Sequence, residues 1–197
     1  SGSRLGKVNV DYSIDNGGNW TNIETNLSAA NGTNYVWPQV PILTTGTAKV
    51  RVYDINNTNA IGNSSRFNIV GNLKVTAPNG NDNWKVNTSQ YITWTSDAIS
   101  LVNVTYSLDN GGNWTSLGLF NASGGTATWN ISNDASVSNA ALVKIYDNSN
   151  PNVVNDISNS TFNVLGSFDI VHPESGDPVY AEESYTINWT KEGTGIN

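Results

Sequence analysis

Apolar and polar residues alternate along much of the chain with a period of two. Near its start, Val8, Val10, Tyr12 and Ile14 fall on one side of such a run, and polar residues fall on the other. This alternation is typical of a β-strand with one buried face. Clusters of Gly, Asn, Asp and Ser interrupt it about every ten residues, as between the strands of a sandwich. The pattern therefore predicts an all-β fold.

One of these predicted strands occurs twice. Residues 8–21 and 102–115 differ at only two of fourteen positions, with a displacement of 94 residues. A period of that length corresponds to one small β-domain, and a chain of 197 residues holds about two of them. The sequence therefore predicts a tandem array of β-domains.

The central repeat contains a full set of predicted strands. Trp94 and Trp129 fall on the inward side of two of them. The set has seven members, the number found in many two-sheet sandwiches. The predicted strands cover residues 73–77, 90–95, 102–109, 113–117, 126–131, 140–146 and 160–165.

The chain is predicted to contain one complete sandwich between two partial ones. Residues 1–71 match only the later strands of the repeat, and residues 72–166 form the complete sandwich. Residues 167–197 match only the first two strands, with Ile187 and Trp189 on the inward side of the second. Each partial segment therefore contains what the other lacks.

This complementarity predicts a self-association site. Two strands cannot bury a core alone, and each large apolar side chain left in water costs about 1.5–3 kcal/mol. We expect the last two strands to complete residues 1–71 of the next unit. That unit is either a separate subunit or a continuation of one long polypeptide; closure by residues 1–71 of the same chain and simple truncation of the ends are the alternatives. The predicted interface consists of Val8, Val10, Tyr12 and Ile14 on the receiving side and of Ile187 and Trp189 on the donating side.

The spacing of aromatic and apolar residues in the central repeat has a known counterpart. The segments that carry it are Ile92-Thr93-Trp94, residues 104–109, Trp129, residues 143–147 and residues 162–164. They resemble the immunoglobulin-like or fibronectin type III-like repeats of large prokaryotic surface proteins. The resemblance implies tandem seven-stranded β-sandwiches, a cell-surface or extracellular location and a structural or adhesive role.

A second motif lies in the repeated strand and the turn that follows it. Ser13-x-Asp15-x-Gly17-x-x-Trp20 recurs 94 residues later and resembles the Asp-box of sialidase-type proteins. In such a turn the carboxylate accepts hydrogen bonds from backbone amides and Gly supplies a positive φ. The resemblance implies a structural hairpin with no catalytic group.

Composition and charge exclude several functions. The net charge is −7 with a pI near 4.4 and no basic patch, so we expect no nucleic-acid partner. The sequence contains no run of about 18 apolar residues, so we expect no membrane span. It also contains no Cys, which excludes disulfides and thiolate metal sites. His172 is the single His, and Glu182 and Glu183 are sequence neighbours that we expect to face opposite ways on a predicted strand. We therefore expect no enzymatic activity and no required cofactor.

The sequence contains twelve Asn-x-Ser/Thr triplets, roughly twice the number expected by chance from its composition. Such triplets are acceptors for N-glycosylation, so covalent glycans are predicted to coat an extracellular protein. The alternative is that an Asn- and Thr-rich surface produces such triplets without modification. The candidate asparagines are Asn19, Asn26, Asn31, Asn56, Asn63, Asn87, Asn103, Asn113, Asn121, Asn130, Asn159 and Asn188.

Acidic loop residues suggest a weaker metal hypothesis. Asp82 and Asp177 lie in corresponding turns, and oxygen-rich loops between sandwiches can bind Ca²⁺. Loop aspartates more often cap turns, and no EF-hand pattern is present.

Taken together, the sequence predicts a structural subunit of an extracellular filament, sheath or adhesin stalk whose partners are copies of itself. The alternative is a carbohydrate-binding accessory module of a secreted enzyme, in which Trp37 or Trp84 stacks on a polysaccharide; packing in the core or between domains is the favoured role of these two residues.

Overall fold

The computed structural model describes residues 6–30 and 34–195 and divides the chain into two compact units, Ser1–Gly71 and Asn72–Asn197. Nearly all regular structure in the described residues is β, which confirms the predicted fold class. None of the helices in those ranges has the length and hydropathy needed to cross a membrane.

The described residues of the first unit form one antiparallel sheet. Strand β1 lies in its middle and pairs with β2 on one side and β3 on the other. The sheet order is β2-β1-β3-β4, and β5 pairs with a separate part of β3. The five strands are β1 (Lys7–Ser13), β2 (Thr21–Ser28), β3 (Thr45–Asp54), β4 (Ile61–Asn63) and β5 (Phe67–Ile69).

The second unit contains a two-sheet sandwich of the immunoglobulin or fibronectin type III kind. One sheet has the order β11-β8-β6, and the other has the order β10-β9-β12-β14-β7 with β13 beside β12. Each of the seven predicted strands overlaps an observed one, and two further strands of three residues each, β7 and β13, are added. The strands are β6 (Asn72–Ala77), β7 (Asn83–Lys85), β8 (Thr88–Asp97), β9 (Leu101–Ser107), β10 (Thr115–Asn121), β11 (Thr126–Ile131), β12 (Ser138–Asp147), β13 (Asn155–Ile157) and β14 (Phe162–Leu165).

The core of the second unit lies between these two sheets. Val75, Ile92 and Trp94 of the smaller sheet pack in one buried cluster with Val104 and Ile145 of the larger sheet. All five side chains are buried because the alternating pattern directs every second residue of each strand inward. The smaller sheet therefore covers the apolar face of the larger one.

A hairpin follows the sandwich within the same unit. Its strands β15 (Ser167–His172) and β16 (Asn188–Glu192) form a two-stranded sheet of their own. The residues after β16 bind the loop between β11 and β12: Gly193 N–H donates to the Asn133 carbonyl at 2.7 Å, and Val137 N–H donates to the Thr194 carbonyl at 2.9 Å. The hairpin is thus held at its end by backbone hydrogen bonds.

Candidate self-association site

Hairpin β15–β16 reproduces the register of β6–β8 in the sandwich. Val75 lies opposite Trp94 in the first pair, and Ile170 lies opposite Trp189 in the second. In both pairs the register shifts at the following step. The second hairpin is therefore a repeat of the first in pairing as well as in sequence.

The same four apolar positions have opposite environments in the two hairpins. In β6 and β8 the larger sheet covers these four residues. Their counterparts in β15, in β16 and at Ile187, directly before β16, are each more than half exposed. The exposed fractions are 7% for Leu73, 0% for Val75, 0% for Ile92 and 4% for Trp94, against 56% for Phe168, 59% for Ile170, 55% for Ile187 and 58% for Trp189. The last hairpin thus presents the face that the sandwich buries.

The sheet of the first unit has an uncovered apolar face, which corresponds to the face of the larger sheet that β6 and β8 cover in the sandwich. A groove of about 450 Å³ lies on it, lined mainly by valines of β1 and β3 and by apolar residues of β2. Val10 pairs with Val52 as Val104 pairs with Ile145 in the sandwich. Val52 is 40% exposed, whereas Ile145 is fully buried. The side chains that define the groove are Val8, Val10, Ile23, Leu27, Val50 and Val52.

The groove lining includes the counterpart of the residue whose carbonyl accepts from Trp94 in the sandwich. There the indole Nε1–H of Trp94 donates to the Ala122 carbonyl at 2.8 Å in a buried bond. Ala29 corresponds to Ala122, because its N–H donates to the Gly6 carbonyl as that of Ala122 donates to the Ser100 carbonyl. Ala29 lines the groove, so we expect its carbonyl to be the counterpart of the acceptor that serves Trp94.

The predicted receiving residues are distributed unevenly around this groove. Val8 and Val10 line it, and the Tyr12 ring packs on the Trp37 ring with 5.0 Å between centroids. Ile14 lies beyond the end of β1, is exposed and does not line the groove.

On the donating side, Ile187 and Trp189 lie just before β16 and within it. Phe168 and Ile170 are not among the predicted donating residues, although their spacing of 95 positions from Leu73 and Val75 indicates the equivalence. The structure adds them, because they belong to the strand that pairs with β16.

The Ser-x-Asp-x-Gly-x-x-Trp turns have nearly identical geometry in both units. In the first, the Asn19 backbone N–H donates to Asp15 Oδ1 at 2.8 Å and the Ser13 hydroxyl donates to the same oxygen at 2.7 Å. These bonds, above all that from the Asn19 N–H, lower the pKa of Asp15 to about 2, and the Asn113 N–H does the same for Asp109. Gly17 has φ of 97°, a conformation that favours glycine. These hydrogen bonds stabilise the turn that connects two adjacent strands, so the motif has a structural role in each hairpin.

An ion pair lies on the sheet of the first unit and was not predicted from the sequence. Arg51 donates from Nε and Nη2 to Oδ2 of the buried Asp11, at 2.9 and 2.8 Å. Its guanidinium also lies over the Trp20 ring, 4.4 Å from the centroid, and over the Tyr53 ring at 5.0 Å. Asp11 is one of the two positions at which the repeated segments differ, since Thr105 replaces it in the second unit.

Most candidate glycosylation sites are on the surface. Asn103 is half-buried and Asn31 lies outside the described residues; the other ten asparagines are exposed. In the two hairpin turns the amide nitrogen is engaged, since Asn19 Nδ2 donates to Asp15 Oδ2 at 2.6 Å and Asn113 Nδ2 donates to Asp109 Oδ2 at 2.6 Å. Surface exposure makes modification feasible at the other eight exposed sites, and glycosylation itself stays a prediction.

The calcium candidates lie in separate turns. Asp82 Oδ2 accepts from the Asn79 N–H at 3.2 Å. Asp177 Oδ2 accepts from the Glu174 N–H at 2.9 Å and lies 3.1 Å from His172 Nδ1; the first of these bonds is the main cause of the lowered pKa of Asp177. One ligand atom from each of His172, Glu174 and Asp177 falls within 4.8 Å of the others, on the protein surface. Turn capping accounts for both carboxylates, and a thermal melt with and without chelator tests the calcium hypothesis.

Comparisons with known proteins give structural likeness only. No family model matches the chain, and no curated protein matches it either. The chain is similar to the fibronectin(III)-like modules of CbhA from Clostridium thermocellum, with 17% identity over 83% of this chain and 80% of that one and a TM-score of 0.34. It is also similar to the three N-terminal domains of the highly immunogenic outer capsid protein (Hoc) of bacteriophage RB49, with 14% identity over 87% of this chain and 53% of that one and a TM-score of 0.29. The chain thus spans about half the length of the Hoc structure, and neither likeness bears on function.

Proposed function

We propose that this chain is a structural subunit of an extracellular filament, sheath or adhesin stalk, and that it catalyses no reaction. In this proposal, hairpin β15–β16 of one copy covers the groove of the first unit in the next copy. The observation that carries the proposal is the contrast in burial between Trp94 and Trp189 at equivalent positions of two hairpins with the same register.

The free energy of association is most favourable when the apolar face of the hairpin and the groove of the first unit are buried against each other. A little over half of each of the four apolar side chains of the hairpin is exposed, so their burial on docking contributes about 3–7 kcal/mol, whereas association of two molecules costs about 4–15 kcal/mol. The hairpin alone therefore offsets only part of the cost of association. Desolvation of the groove, with its exposed Val52, adds to the favourable side.

The geometry of such a contact determines the shape of the assembly. The donated hairpin and the receiving groove are different surfaces, so the contact is heterologous; when the rotation between copies does not close a ring, one surface of each kind stays free at the ends. Contacts of this kind, in which one subunit supplies strands that another lacks, extend into open filaments. Frequent Asn-x-Ser/Thr triplets support an extracellular location.

Negative-stain electron microscopy of the purified chain over a range of concentrations tests the proposal. Fibres or extended oligomers are the expected result, and single particles at every concentration would contradict it. Single particles that are retained on a polysaccharide column would instead support the carbohydrate-binding alternative. For that alternative, Trp84 is unavailable as a stacking platform, because it is buried and packs on Phe162 with 4.9 Å between ring centroids.

A further inference from the structure

Strand β8 of the sandwich has two halves with different partners. Its C-terminal half, residues 93–97, pairs with β6. Its N-terminal half, residues 88–93, pairs with β11. Strand β8 therefore depends on two neighbours, one for each half.

Two segments of the chain correspond to the pair formed by β11 and the N-terminal half of β8, and neither forms a strand. In the last hairpin, residues 183–187 take the place of residues 88–92 but have no strand structure. In the first unit, residues 34–44 take the place of β11 and of the loop after it, and they contain no strand. Each segment lacks the neighbour that stabilises its counterpart in the sandwich.

An aromatic contact fixes the alignment of the first-unit segment. The Trp129 ring of β11 stacks on the Tyr106 ring with 4.2 Å between centroids. In the first unit Trp37 packs on Tyr12, the counterpart of Tyr106, at 5.0 Å. Trp37 therefore occupies the place of Trp129, although its backbone is not in a strand.

We infer that residues 183–187 of one copy and residues 35–39 of the next form an antiparallel strand pair when the hairpin enters the groove. This inference rests on the proposed function. The register follows from the pairing of Thr128 with Tyr91 in the sandwich and sets Val36 opposite Thr186.

The residues of the new pair suit an outer edge of a sheet. Thr128 and Tyr91 are exposed in the sandwich, so Val36 and Thr186 face solvent in the docked state. Pro38 is compatible with this position, because β11 is an edge strand and proline is accepted where the missing N–H faces solvent. The pair also supplies partners for backbone groups that would otherwise lie unpaired at the junction.

A disulfide designed into this pair tests the inference directly. The chain has no Cys, so Val36→Cys with Thr186→Cys introduces the only two thiols. Directly opposed residues in an antiparallel pair have Cβ atoms roughly 4.5–5.5 Å apart, close to the separation that a disulfide requires. The matched control is Val36→Cys with Ser184→Cys, because Ser184 lies in the same segment as Thr186. In the predicted register residues 36 and 184 are diagonal neighbours, about 7–8 Å apart.

Assembly of the unmodified chain and of both reduced variants is measured first by electron microscopy, and the variants are then oxidised and run on a non-reducing gel. A ladder of covalent oligomers that is at least about fivefold stronger for the first variant than for the control is expected. Fibres without a ladder, equal ladders, or a disulfide-linked monomer would overturn the inferred strand pair. Absence of fibres from the unmodified chain would overturn the proposed function and the strand pair with it.

Discussion

Trp94 and Trp189 occupy the same register position in two hairpins of one chain, yet 4% of the first residue is exposed and 58% of the second. The first is covered by the larger sheet of its own sandwich and donates its indole N–H to a buried carbonyl. The second presents the same ring to solvent. This difference in environment between equivalent residues is the basis of the proposed head-to-tail assembly.

Substitutions at equivalent positions separate folding from assembly. Ile92→Ala removes a fully buried side chain from the sandwich and is expected to lower the free energy of unfolding by about 2–5 kcal/mol. Ile187→Ala removes a side chain that is 55% exposed, so the change for the dilute monomer is expected to stay within about 0.5 kcal/mol, while assembly weakens. Urea unfolding at low concentration and light scattering at high concentration measure the two effects. A loss of monomer stability without any change in assembly for Ile187→Ala would contradict the assignment.

The indole nitrogen of Trp189 is expected to matter beyond the area of its ring. In the docked state it reaches the Ala29 carbonyl, as Trp94 reaches Ala122, and one hydrogen bond of this kind contributes about 0.5–1.5 kcal/mol. Trp189→Phe should therefore raise the critical concentration for assembly by up to about tenfold, and Trp189→Ala should raise it much further. Tyr91→Ala is the matched control, because Tyr91 is an exposed aromatic residue on the outer side of the sandwich. An equal effect of Tyr91→Ala and Trp189→Ala on the critical concentration would mean that exposed aromatic surface in general drives assembly.

The hairpin turns predict a dependence of stability on pH. The pKa of Asp15 and of Asp109 is lowered to about 2 in the folded chain from an ordinary value of 3.8. Folding therefore gains stability from these carboxylates above pH 4, and that gain is lost as the pH falls from about 4 to about 2. The variant with Asp15→Asn and Asp109→Asn should show a smaller decrease in melting temperature across this window. Asp97→Asn, an exposed position at the end of β8, is the control, and equal slopes for all three proteins would contradict the role given to the turns.

Glycan occupancy is expected to follow the hydrogen bonding of the asparagine amides. Asn19 and Asn113 have their Nδ2 atoms held by aspartates of the hairpin turns, and that nitrogen is the atom to which a glycan is attached. In this chain produced by its native host, we expect modification at exposed sites such as Asn63 and Asn159 and none at Asn19 or Asn113. Glycopeptide mass spectrometry measures occupancy site by site. An unmodified intact mass would remove the glycan hypothesis, and full occupancy at Asn19 would contradict the protective role of the turn.

The sequence was sufficient to predict the strands of the sandwich because alternation and the 94-residue repeat are strong signals. Trp84, for which core packing is the favoured interpretation, is buried as expected. Its strand was not predictable, because β7 has three residues and pairs in parallel with β14, 80 positions away in register. The end of β1 was not predictable either, since the alternation continues through Ile14, past the residue at which the strand ends.

The candidate site was only partly predictable. Ile187 and Trp189 follow from their counterparts in the sandwich, and Phe168 and Ile170 follow from the same spacing once the hairpin register is known. The ion pair of Arg51 with Asp11 joins residues 40 positions apart. Such a contact depends on which strands are neighbours in the sheet, and the alternation of residues along one strand does not contain that information.

Sedimentation velocity of the unmodified chain across a hundredfold range of concentration tests the central claim most directly. We predict that the sedimentation coefficient rises with concentration as open-ended oligomers form, and that Trp189→Ala abolishes this rise while the folded monomer persists. A single species of 21.1 kDa at every concentration, with Trp189 and Val52 still exposed, would contradict the account.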